Sequence, residues 1–509
     1  ATADATVTGR PTPTLLPASE ATSTPSGAAA DGLVLPFAAY GRWRGPANVQ
    51  TGIQIQNLSQ DPAQIDVTFV DEDGADVASV DRTADPGAAP NVYAPTVLGA
   101  VAAMPSLFGV RAVADVAIGA IVRTDWFDDD GAGIAESPSP SRSVVVPSFV
   151  RRSAGRSSML AIANAGTQTA NVTATLFTGE DTSFQRTVTR LQLPVGTTRR
   201  LWADYEAAFQ PLGPFEGWLR LDSDGPPLSV QAWEAGDDDA QRPRPVAAFE
   251  AQPLAYAASD LIAPLFRSAQ RGVRPLDSLS TRIVVVNPGA DDAEVTLSFS
   301  GADNAAASPL CRGGRFHQTP VVVPAGGRHV FRQAPGGGHD IPPNCFGTAR
   351  ISTANESERV LAVVYDATST DGTTADALLS AFTAPAALRA SRRVALPLIR
   401  RNHVGLSTGI QVVNAGPDPV DIVVDFSVTD ARTGASRPVD GCTQCRATID
   451  PDDSATFWPP SIAVLPDGVF GGAVITADGP IVALVNDYPT VERAGRRTDP
   501  ATYLGLAMP

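Results

Sequence analysis

Four cysteines fall in two local pairs, Cys311 with Cys345 and Cys442 with Cys445. A Cys-x-x-Cys spacing suits half a zinc site, a redox motif at a helix N-terminus, or a disulfide across a tight turn. Zinc needs a second ligand pair close by, and the other cysteines lie far upstream. No helical pattern follows Cys445. Both pairs are therefore read as disulfides, the first pinning a Gly-rich insertion and the second closing a hairpin. An even cysteine count in an acidic, Thr/Pro-rich chain points to oxidation outside the cytoplasm.

Catalytic constellations are sparse. Gly405-Leu406-Ser407-Thr408-Gly409 has the spacing of a nucleophile elbow. An elbow needs a helix directly after its serine, and the alternating strand pattern TGIQVVN follows instead. The hydrolase order also puts a histidine after the serine, yet His403, the last of four, precedes it. The others are His317, His329 and His339, and no HExxH is present. His339-Asp340, inside the insertion of residues 301–350, is the one remaining candidate for acid–base chemistry. No enzyme is expected.

Acidic runs occur at Asp71-Glu72-Asp73 with Asp76, at Asp128–Asp130 and at Asp237–Asp239. Convergent carboxylates suit Ca²⁺, and Asp71, Asp73 and Asp76 are the candidate ligands, although the EF-hand spacing is absent. No other cofactor or metal is indicated. Trp43 and Trp218 lack aromatic counterparts elsewhere and are candidate contact residues for glycans or other partners. Asn57-Leu58-Ser59, Asn171-Val172-Thr173 and Asn355-Glu356-Ser357 match the N-glycosylation sequon.

The elements that carry these residues recur four times. Each unit opens near a proline, at Pro36, Pro147, Pro264 and Pro397. A strand follows that ends on an asparagine: TGIQIQN, SMLAIAN, TRIVVVN and TGIQVVN, closing on Asn57, Asn164, Asn287 and Asn414. These asparagines are read as turn-formers that cap local backbone groups, not as site residues. Positions eight, ten and twelve residues onward are mostly apolar and alternate with Asp, Thr and Ser, the period-two pattern of a half-buried strand. A second marker is a proline shortly before Gly or Asp, followed by Tyr93, Trp202, Phe331 or Trp458. A late hairpin runs from Phe108, Phe215, Phe346 or Phe470 to Trp126, Trp233, Tyr365 or Tyr488. The rings at these offsets are read as core plugs between two sheets.

About seven or eight short strands per unit predict an all-β chain of four tandem Ig-like antiparallel β-sandwich domains, set in a row with their outer surfaces free. The units are placed at 33–142, 143–260, 261–392 with the insertion, and 393–509. Residues 1–32, rich in Thr, Pro, Ser and Ala, form an extended segment without apolar alternation. It is expected to lie along a sandwich edge, of a neighbouring subunit or of the first repeat.

Bulk properties limit the partners. The 54 acidic against 38 basic residues give a net charge of −16, which repels nucleic acid and anionic membrane surfaces. The basic residues are all arginine, so isopeptide staples through lysine are excluded. No apolar run is long enough to cross a bilayer. The sequence begins directly with Ala1-Thr2-Ala3, read as a mature product whose secretion signal has been removed.

Through its TGIQIQN and TGIQVVN strands, the late FGGAVITADGPIVALVNDY hairpin and the Thr/Pro-rich leader, the chain resembles secreted surface proteins of Chloroflexi-like bacteria built from tandem Ig-like sandwiches. The resemblance implies an extracellular structural or adhesive role and brings no catalytic residues. The expectation is a subunit of a homopolymer (filament, sheath or surface layer) held by non-covalent contacts between copies. The alternative is an adhesin or glycan-binding repeat protein.

Overall fold

A computed structural model describes residues 32–42, 48–99, 107–126, 131–179, 184–237, 243–270, 278–304, 306–334, 336–369, 377–430, 436–490 and 501–508. The expected extended segment at 1–32 and Trp43 therefore lie essentially outside the described residues. The described chain is all-β in class, folded into four antiparallel β-sandwiches.

Each repeat has the same plan of eight strands. First strands are Leu33–Arg42, Ser143–Arg151, Asp260–Ser268 and Ser391–Arg401. One sheet runs fourth, third, sixth, first, and the other fifth, second, seventh, eighth. The two sheets are joined in the first repeat, where the end of the first strand also pairs with the second, and in the last, where the sixth and seventh strands form one ribbon, Val469–Pro489. The pairings of second with fifth and third with sixth match the immunoglobulin plan. The first strand departs from that plan, because it pairs with the sixth.

The opening prolines explain a shared irregularity. Pro36, Pro147, Pro264 and Pro397 each sit where the register between first and sixth strands shifts. Proline has no N–H to give to the ladder, so a bulge is its natural place within a sheet.

Third strands alternate as expected over their first five residues. Ala63–Val70 reads buried, exposed, buried, exposed from its start, with Ile65, Val67 and Phe69 inward. Second strands do not: Arg156–Asn164 and Leu406–Asn414 are buried at every position. Burial on both faces means that something covers the outer face as well. The cover is the neighbouring repeat.

This overturns the expected row. The eighth strands, Gly131–Glu136, Pro243–Glu250, Ala377–Thr383 and Ala501–Leu504, meet at the centre. The first packs beside the second, the second beside the third, the third beside the fourth, and the fourth beside the first. The four sandwiches close into a ring. Outer-face residues expected to be free instead fill the seams: Met159 and Ala161 pack with Phe37 and Leu107, Val286 with Trp218, and Val413 with Ile262.

Candidate functional site

The residues that the repeats share are the boundary-forming ones, and their chemistry can be built strand by strand. The first residue of each recurring motif is Thr51, Ser158, Thr281 or Thr408, all buried. Its hydroxyl accepts the N–H of the residue three places after the opening proline: Ala39 at 2.8 Å, Val150 at 2.9 Å, Arg267 at 2.7 Å and Arg400 at 3.1 Å. The bulge turns that N–H away from the ladder, and the hydroxyl satisfies it.

At the far end of the motif the asparagines form identical staples. The side-chain amides of Asn57, Asn164, Asn287 and Asn414 donate to the carbonyl four residues on, at 2.7–2.8 Å. They also donate to Ala84, Leu193, Val323 and Ile449 at 2.9–3.0 Å. Each side-chain oxygen accepts the N–H two residues on, at 2.8–2.9 Å. Asn57 is thus fully buried and committed, which removes it as a glycan acceptor in the folded chain. Asn171 and Asn355 make exposed contacts with Asp224 and Glu358.

The turn between fourth and fifth strands is the docking element. Gly87, Gly196, Gly326 and Asp452 all have positive φ there, which presents a carbonyl outward. Each turn seats on the sixth strand of the preceding repeat. The Trp218 indole N–H donates to Gly326 O at 2.9 Å, and the Thr348 hydroxyl to Asp452 O at 2.9 Å. Gly109 lies against Thr198, and Gly472 against Ala89. The last contact joins the fourth repeat to the first, so the same geometry occurs at all four seams.

Directly opposite the buried hydroxyls, on the seventh strands, stand Thr124, Glu234, Asp366 and Asp487. All four are buried. A side chain from the next repeat reaches three of these sites. The Tyr365 hydroxyl donates to Glu234, and Tyr488 meets Arg267, which pairs with Asp366 at 3.1 Å. Arg123 of the first repeat pairs with Asp487 at 2.6 Å, and Arg400 holds the same carboxylate at 2.8 Å. At the remaining seam Trp233 packs on Phe37, ring centroids 4.8 Å apart. Burial lowers the pKa of the Arg400 guanidinium and the Arg123 charge beside it adds to this, although Asp487 opposes both.

Two further carboxyls lie at the centre. Glu136 ends the eighth strand of the first repeat and accepts the Leu504 N–H from the fourth. Burial pushes its carboxyl up to about 8, with Leu504 opposing and Glu250 adding to the shift. Burial pushes Glu250 up to about 7; it accepts the Ser139 N–H at 2.7 Å. At the seam of repeats two and three, burial would raise Glu216, but the Ser153 hydroxyl and then Arg328 and Arg282 hold it at about 2.

The other candidates go elsewhere. Cys311 and Cys345 are bonded, as are Cys442 and Cys445. Ser407 is buried, accepting the Asn402 N–H at 2.8 Å and donating to the Asn402 side chain at 3.1 Å. Ser157 and Ser280 make the equivalent backbone contact in their repeats, so the elbow spacing is a turn. His339 bonds the backbone of Ala334 and Ile341, while Asp340 accepts the His317 N–H. Asp71 caps its own turn through Asp73 and Ala75, and Asp76 pairs with Arg111. Glu72 reaches Arg200 of the next repeat. Among the described residues no group of three His, Cys, Asp or Glu is placed to hold a metal. The side chains of Asp128–Asp130 and Asp237–Asp239 lie outside the described ones.

Trp218 is a contact residue, but an internal one: it is 1% exposed and stacked on Phe177 at 3.8 Å between centroids. The recurring aromatics divide. Phe331 is in the core and Trp202 in a seam, whereas Tyr93 and Trp458 are each 38% exposed. The closing aromatics are also not in one register, since Trp233 and Tyr365 are equivalent while Tyr488 stands two positions further along. No protein-family model matches the chain, and no curated protein matches its sequence.

Proposed function

We propose that the chain is a non-catalytic structural protein of the cell exterior, a ring-shaped building block of a larger assembly. The observation that supports this best is where its recurring polar groups go: hydroxyls and asparagines fasten each sandwich internally, while the docking turns and the buried acids hold sandwich against sandwich. The two cysteine pairs agree with an oxidising setting. Joining of copies by lateral strand pairing is disfavoured. Three fourth strands carry bulges against their partners, and the last is split around the Cys442–Cys445 loop. Electron microscopy of native material tests this reading. Arrays or filaments of ring-sized particles are expected; dispersed single particles would remove the assembly role.

A second reading, glycan binding by an adhesin, draws on Tyr93 and Trp458. Each half-exposed ring stands opposite a glycine, Gly52 or Gly409, on the second strand of its repeat. A glycan array on the purified chain separates the two. Selective binding lost in Trp458→Ala favours the adhesin.

A further inference from the structure

We propose that the seam between the fourth and first repeats is an exchangeable latch, and that its partner in trans is the first repeat of a second copy of this chain. This deepens the building-block reading by naming the joint, but its test uses purified chain alone.

Three seams are backed by short connectors, from Glu136 to Ser143, Glu250 to Asp260 and Thr383 to Ser391. The fourth seam joins the first and last repeats, and among the described residues it is held by non-covalent contacts alone. Gln56 bridges it, donating to Gly87 O at 2.8 Å in its own repeat and to Ala473 O at 3.0 Å in the fourth. Leu58 packs with Ala395 and Met508, and Leu506 lies against Gly119. Arg123 reaches Asp487, and Glu136 receives the Leu504 N–H.

These contacts repeat the docking turn of the covalent seams and the buried-acid pairing of two of them, so the two surfaces fit whichever chains carry them. A head-to-tail interface closes into a ring or propagates as a chain, according to whether the rotation returns on itself. In one molecule the high effective concentration favours the ring. Opened at high protein concentration, the same surfaces join neighbours.

Glu136 sets the condition for opening. Around it stand Glu250 on the eighth strand of the second repeat, with Arg389 near that carboxyl, and Tyr503 from the fourth repeat. In the closed ring its proton is held until about pH 8. Once exposed, it ionises in the usual carboxylate range, so alkaline pH favours the open form. From pH 6 to 9.5 the opening constant rises on the order of a hundredfold through this group alone.

A Cβ built on Gly472 lies 3.0 Å from that of Ala89. The double variant Ala89→Cys/Gly472→Cys in the full chain therefore reports on the seam. Oxidised dilute at pH 6, it should cross-link within single chains; held concentrated at pH 9.5 before oxidation, it should yield a covalent ladder on a non-reducing gel. Single-chain cross-links under both conditions would overturn exchange. Failure to cross-link at pH 6 would overturn the seam itself. Since Gly472 is crowded, the unaltered chain supplies a second measurement: dimers and higher species by light scattering after concentration at pH 9.5, and far fewer in Glu136→Gln. Equal amounts in Glu136→Gln would remove Glu136 as the trigger, and no oligomers in the unaltered chain would overturn the latch. Native arrays built from chains already cross-linked within themselves would refute exchange while leaving the building block intact.

Discussion

Asp487 is the residue on which ring closure is most sharply posed. Two guanidinium groups from different repeats, Arg123 and Arg400, converge on its carboxylate in a buried setting. Removing one member of a buried charge set leaves the others uncompensated, at a cost of about 3–5 kcal/mol. Asp487→Ala should lower stability to urea by that order, and a cost below about 1 kcal/mol would mean that the seam is solvated. The asparagine staples give a second test. Asn287→Ala deletes three hydrogen bonds and orphans two carbonyls, an expected loss of about 2–4 kcal/mol in urea unfolding. Two bonds of each staple were legible in the sequence because they are local, reaching two and four residues along; the third spans 27 to 36 residues and was not. The buried acids were not. Glu234 and Asp366 sit in apolar seventh strands, and two of the side chains that meet them, Tyr365 and Tyr488, come from the following repeat.

At the scale of elements, the third strands carried the fold class in plain view, since one face meets the core and the other meets water. The second strands held the missing signal. SMLAIAN places small or apolar residues on both faces, and TRIVVVN does so apart from Arg282, a pattern of strands covered twice. The docking turns were also present as the Pro-then-Gly or Asp marker, but nothing local says what a turn touches. The disulfides differ in what they close. Cys311 and Cys345 are 34 residues apart and Cys442 and Cys445 only 3. On loop-closure grounds the first contributes about 4 kcal/mol and the second about 1.5 kcal/mol. Denaturation midpoints of Cys311→Ser/Cys345→Ser and Cys442→Ser/Cys445→Ser should therefore fall unequally, the former much further.

At the scale of the whole molecule, a ring behaves differently from a row. Repeats in a row melt nearly independently, whereas sandwiches tied at every seam unfold together. Calorimetry should show one dominant transition, and four resolved ones would contradict closure. Stability should also depend on pH in a defined direction. Glu136 carries a folded pKa of about 8 against an ordinary 4.5, so the folded chain holds a proton that the unfolded chain has released. Its contribution is complete below about pH 4.5 and fades as pH climbs through 8, by on the order of 5 kcal/mol. Glu136→Gln should flatten the fall in melting temperature across that interval.

The two ends of the described chain also reach the same repeat: Leu33 pairs with Ala112, and Leu506 packs on Gly119. A tension applied between the ends is consequently borne by the joint between the fourth and first repeats, while the second and third sandwiches stay slack behind it. That joint yields first, like a clasp on a bracelet, and only then does extra length pay out.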